Sequence, residues 1–137
     1  MPTTDLNGVT RQIIAAAIEV HRHLGPGLME SAYRESLCYE LAQSGMSFAR
    51  EVHWPLHYKG LQLDCNYRID LLVEGQVIVE LKSLEQVLSV HSAQLLTYLK
   101  AGGKEVGLLI NFNFPVLKQG IKRVVNQFEE LPKGVQT

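Results

Sequence analysis

The sequence predicts an α+β domain, on three observations. Apolar residues at helical spacing open the chain, β-branched runs separated by Gly-containing turns fill its middle, and a helical stretch followed by a continuous apolar run comes late. The expected order is α-α-β-β-β-α-β-β. An antiparallel meander followed by a helix and further strands means an α+β or mixed three-layer domain. The 137 residues suit a single domain over 1–137, with a core at about 8–128 and a frayed tail at 129–137.

Each element has a local reason. Val9, Ile13, Ala17, Val20 and Leu24 fall on one helical stripe, giving a helix over Asn7–His23 that Gly25-Pro26-Gly27 must break. A second helix spans Met29–Ser44 and stops at Gly45. Phe48–Tyr58 reads as a strand in which Pro55 marks an edge or an irregular position. Lys59-Gly60 is a turn, Leu61–Val73 a second, long strand, and Gln76–Ser83 a third. Val90–Ala101 reads as a helix with Ser89 as its cap, ended by Gly102-Gly103-Lys104. Its Leu95, Leu96 and Leu99 form either core or a homodimer seam. Val106–Phe112 is a strand buried on both faces, and Gly120–Phe128 is read as an edge strand.

Composition excludes several classes. The formal net charge is −1, so any nucleic-acid contact must be local and metal-assisted. No run is long enough to span a bilayer, and Met1–Asn7 lacks the features of a signal peptide, so no membrane partner is expected; Cys38 and Cys65 read as buried thiols in a reducing compartment, from which a cytoplasmic location is expected. Cys38 and Cys65 form neither a Cys-x-x-Cys nor a zinc spacing. The pairs His21/His23 and His53/His57 do not share a helix face as metal ligands would. A P-loop and a Gly-x-Ser-x-Gly elbow are absent.

The most informative segment is residues 67–82, YRIDLLVEGQVIVELK, a β-hairpin signal around Glu74-Gly75. Asp70 lies in one strand and Glu80 in the other, with Lys82 two places on and therefore on the face of Glu80. Two carboxylates and an ammonium are costly to bury without a purpose, and a divalent cation would supply one. The register is decisive. A two-residue Glu74-Gly75 turn would put Glu80 on the opposite face from Asp70, whereas a three-residue turn brings both to one face. The turn could be Val73–Gly75, which suits Gly75 as its left-handed residue, or Glu74–Gln76; a bulge would serve equally.

Two helices carry further polar residues on inward faces. Glu30 falls within the stripe of Tyr33, Leu37 and Leu41; it either serves helix-start electrostatics or is a third acid aimed at Asp70 and Glu80. Gln94 and Tyr98 lie one turn apart on a small, polar face. Gln94 either lines a phosphate or metal-bound water, or ties its helix to a strand.

These residues resemble a known superfamily. Asp70, followed after nine residues by Glu80-Leu81-Lys82, is similar to the D…ExK core of the PD-(D/E)XK nucleases. Gln94-x-x-x-Tyr98 resembles the Q-x-x-x-Y motif of the RecB-like branch, and Gly27-x-x-Glu30-x-x-Tyr33 the signature of the GxxExxY family. The likeness runs from about Thr10 to Asn126; Ile69 stands where the superfamily label has Pro. It implies a restriction-endonuclease-like core, a central mixed sheet flanked by helices, and a nuclease acting on DNA or RNA. It further implies that Asp70, Glu80 and the Leu81 carbonyl bind Mg²⁺ or Mn²⁺, that Lys82 activates water, and that Glu30 adds a third acid. Gln94, which also joins the catalytic set, would touch substrate with Tyr98, Arg68 and Tyr33. A non-catalytic nucleic-acid- or protein-binding module on the same fold, associated with defence or toxin–antitoxin function, is the other reading.

Overall fold

The computed structural model describes residues 5–127, so the segment expected to be a tail lies outside the described residues. Helix α1, Leu6–Leu24, starts at Asp5, whose carboxylate accepts the Asn7 N–H at 3.1 Å as an N-cap does. It buries Val9, Ile13, Ala16, Ala17 and Val20. Helix α2, Glu30–Gln43, buries Tyr33, Leu37, Cys38 and Leu41.

The strands are β1 (Phe48–His53), β2 (Leu56–Tyr58), β3 (Leu61–Leu63), β4 (Arg68–Val73) and β5 (Val77–Lys82), then α3 (Ser89–Gly102), β6 (Val106–Asn111) and β7 (Ile121–Val125). Five of them form one sheet in the order β1-β4-β5-β6-β7. Helix α3 is the crossover that lets β6 run parallel to β5, while the other neighbours are antiparallel. Helices α1 and α2 share one core with Leu71, Val73, Val79, Leu81, Leu108 and Ile110; α3 shares the other with Ile78 and Leu109. The result is a mixed sheet between two helical layers, as the sequence led one to expect.

Three expectations need correction. The strand expected over Phe48–Tyr58 is cut at Trp54-Pro55. Trp54 turns inward, where its indole N–H donates to the Tyr98 carbonyl at 2.9 Å, and Pro55 has no N–H with which to continue the ladder. The long strand expected over Leu61–Val73 is likewise interrupted between β3 and β4, where Asn66 adopts φ 58°. Strands β2 and β3 therefore form a separate hairpin between β1 and β4. Ser89 is the first residue of α3 rather than its cap: Leu88 takes the cap position and His91 Nδ1 accepts the Leu88 N–H at 2.9 Å. The leucine face of α3 is core, with Leu95 and Leu99 at 1% and 0% exposure and Leu96 packed against them, so it is not a seam between copies.

Beyond β5 the chain is held by a residue that no periodicity singles out. Asn111 is fully buried at the end of β6; its side chain accepts the N–H of Leu84 at 3.0 Å and of Asn113 at 3.2 Å, and donates to the Leu84 carbonyl at 2.9 Å. Asn111→Leu fills the same space but strips these partners. The expected loss is about 2–3 kcal/mol of unfolding free energy in urea titration, because buried groups are left unpaired. An unchanged midpoint would show that water replaces the amide there.

Candidate active site

The hairpin register answers the geometric demand of the sequence. Strands β4 and β5 pair Val73 with Val77, Leu72 with Ile78 and Leu71 with Val79. The loop is Glu74–Gln76, not the Val73–Gly75 alternative that Gly75 had favoured. Glu74 and Gly75 both take left-handed φ, 55° and 66°, and the Gln76 N–H closes the turn on the Val73 carbonyl at 3.0 Å. Gln76 is then one extra residue on the β5 side, a bulge. Continuing this register sets Asp70 directly across from Glu80.

The backbone ladder does not continue with it. At Asp70 the two strands part, and side chains take over the hydrogen bonds. Asp70 Oδ2 accepts the Leu81 N–H at 2.7 Å, and Glu80 Oε2 accepts the Asp70 N–H at 3.0 Å. The other flank of β4 is broken at the same level. Strand β1 pairs regularly on both sides of Glu51, but Glu51, the residue across from Asp70, has φ 51° and drops out of the pairing. Such a conformation inside a strand is strained for a side-chain-bearing residue. Strand β4 also turns over here: Leu71 and Val73 pack with α1 and α2, whereas Ile69 packs in the α3 core. The two carboxylates thus sit where the sheet opens.

Burial sets their proton affinity. Glu80 is 8% exposed, and desolvation together with the Asp70 charge pushes its pKa up to about 8, against the opposing Asp70 N–H and Lys82. Desolvation also raises Asp70, against the Leu81 N–H, Arg34 and Lys82, with Glu30 adding to the rise. Arg34 and Lys82 offset the charge of the pair only in part. An all-oxygen donor set of this kind suits Mg²⁺ or Mn²⁺, which accept few protein ligands and keep several waters. Among the described residues, no group of three His, Cys, Asp or Glu side chains gathers to hold a metal. Two carboxylates with backbone and water oxygens are the ligands that this site can offer.

The surrounding residues fall into place unevenly. Lys82 ends β5, half-buried and near enough to lower both acids. Glu30, the first residue of α2, raises both, so its charge bears on the site. Tyr98 is 4% exposed; burial and the charges of Glu80, Tyr67 and Asp70 raise its phenol to about 12, and its ring tilts against Tyr67 at 6.1 Å. Gln94 lies one turn earlier on α3, exposed, without the strand hydrogen bond that was its alternative role. Arg68 is exposed at the start of β4.

Tyr33 must be corrected. It is fully buried, stacks on Phe112 at 4.3 Å, donates its hydroxyl to the Gly25 carbonyl at 2.5 Å and accepts the Leu28 N–H at 3.1 Å. No substrate can reach it. Its role is to clamp the turn before α2, where Gly27 has φ 97°, while Ser83 Oγ donates to the Leu28 carbonyl at 2.5 Å from the end of β5. This explains the Gly27, Glu30, Tyr33 spacing physically: the glycine permits the turn, the tyrosine locks it, and the turn presents Glu30.

The sequence reading missed two residues. Arg34 reaches the site from α2, with Nη1 at 3.8 Å from Asp70 Oδ1 and Nε at 3.9 Å from Glu51 Oε2. Its one signal was a spacing of four from Glu30, which places both on one helix face. Glu51 had no signal, because its position depends on a strained φ.

A mixed sheet between helical layers, with paired acids at an opened hairpin, defines a nuclease-type domain. The chain belongs to the PD-(D/E)XK nuclease superfamily, whose family model matches residues 7–124. Neither the curated proteins nor the solved structures gave a match. Among the described residues, no helix is long and apolar enough to cross a membrane.

Proposed function

We propose that this chain is a single-domain, divalent-metal-dependent nuclease that hydrolyses phosphodiester bonds in DNA or RNA. The observation that carries this reading is the replacement of ladder hydrogen bonds by the carboxylates of Asp70, half-buried, and Glu80, buried, which face each other where the sheet opens. The motif spacings support placing it in the GxxExxY group and the RecB-like branch.

In this reading Asp70, Glu80 and the Leu81 carbonyl hold Mg²⁺ or Mn²⁺, with Glu30 as an outlying acid acting through its charge or through water. The bound ion would lower the pKa of a water and stabilise charge on the scissile phosphate. Asp70 and Glu80 bind and orient. Lys82 would hold the attacking water by a hydrogen bond while its oxygen bonds to phosphorus, the P–O bond to the leaving oxygen breaks, and the water's proton passes to solvent. Gln94 and Arg68, both exposed, contact the substrate backbone, whereas Tyr98, expected to join them, packs in the α3 core.

Calorimetric titration with Mn²⁺ tests this without a guess about substrate. Wild type is expected to bind saturably, and the Asp70→Ala/Glu80→Ala protein to lose the signal. Equal heats from both proteins would remove these carboxylates from the ligand set and favour a non-catalytic module.

A further inference from the structure

The side chain of Arg34 is only 18% exposed, and its buried Nε has no hydrogen-bond partner. Its two anionic neighbours stand at 3.8 and 3.9 Å, beyond hydrogen-bond reach. A buried guanidinium Nε without a partner is expensive, because a donor taken from water must be satisfied elsewhere. Nearby Glu35 does not satisfy it, since that carboxylate is taken by Arg50. The guanidinium lies beside Asp70, on the α2 side of the opened hairpin, and its fork matches a phosphate bidentately.

We infer that Arg34 forms a phosphate subsite on the Asp70 flank of the site, taking a non-bridging oxygen pair of a substrate phosphodiester. The inference rests on the nuclease reading. In the free protein Asp70 and Glu51 hold the guanidinium in place at a distance. A phosphate oxygen pair at this flank would give the guanidinium the hydrogen-bond partners that neither carboxylate supplies. Arg34 is thus a binding residue, distinct from the carboxylates that hold the ion.

The test is fluorescence anisotropy with labelled single- and double-stranded oligonucleotides in Ca²⁺ buffer, alongside Mn²⁺ calorimetry, for wild type, Arg34→Gln and Arg34→Lys. Arg34→Gln is expected to weaken the better-bound oligonucleotide about tenfold and to reduce the salt slope by about 1. Arg34→Lys, which keeps the charge and the ion pair but not the fork, should lose about threefold. Mn²⁺ affinity, which Arg34 also touches through Asp70, should change less than oligonucleotide affinity in both. Unchanged oligonucleotide affinity in both variants, with wild type still binding nucleic acid and Mn²⁺, overturns the subsite and leaves the nuclease reading standing. Wild type that binds Mn²⁺ but neither oligonucleotide overturns both.

Discussion

Lys82→Ala is expected to reduce nucleic-acid cleavage about 10³-fold while leaving Mn²⁺ affinity within a few-fold of wild type. The separation follows from position. Lys82 follows Glu80 by two residues on one strand, so its ammonium shares the site without supplying a ligand atom. Two effects on metal binding oppose each other. Removing a cation relieves its repulsion of the metal, but it also lets Asp70 and Glu80 hold protons more tightly, since Lys82 now lowers both. The chemical step has no such compensation. Single-turnover cleavage with saturating Mn²⁺, paired with calorimetry, reads both quantities. A variant that cleaves at the wild-type rate would mean that water is activated elsewhere. Parallel loss of cleavage and of Mn²⁺ binding would place Lys82 in the scaffold of the metal site.

Glu80→Gln should make the metal-free protein more stable and the metal site weaker. Glu80 is 8% exposed with Asp70 opposite, and its pKa stands at about 8 against an ordinary 4.5. Its folded-state pKa is raised, so between those values the folded chain holds a proton that the unfolded chain releases. Stability therefore falls as pH rises through this window, and the full penalty is present above about pH 8. A glutamine removes the charge and can still accept the Asp70 N–H. The gain at pH 8 is expected to be about 2 kcal/mol, a Tm rise of roughly 6 °C, and the decline in Tm from pH 5 to 8 should flatten. Mn²⁺ affinity should drop about 100-fold, so added Mn²⁺ raises the Tm of wild type but not of the variant. An identical pH slope in the two proteins would show that Glu80 does not carry the retained proton.

The local elements of this fold are written in the sequence. Helices α1 and α2 follow from the apolar stripes of Val9 to Leu24 and Tyr33 to Leu41, and from the glycines that stop them. The fully buried β6 follows from the unbroken apolar run at Val106. The demand for a three-residue turn or bulge in the hairpin was also legible, because side chains alternate with period two, and Asp70 and Glu80 can face each other across only some registers. Two expectations failed where a distant partner overrides local preference. The strand from Phe48 breaks because Trp54 finds the Tyr98 carbonyl, and Tyr33 turns from candidate substrate contact to clamp because Gly25 and Leu28 offer it two hydrogen bonds in the core.

The sequence by itself determined which acids could meet, through register and residue type. Only the tertiary structure decided what meets them. Arg34 comes from another layer, Glu51 enters through a φ of 51° that no propensity favours, and Asn111 ties down the chain after Lys82 from a neighbouring strand. Spacing in sequence fixes relations along one element, or across one tight turn. The electrostatics of the site depend on burial and on charges brought in from other elements, and those exist only once the layers have packed.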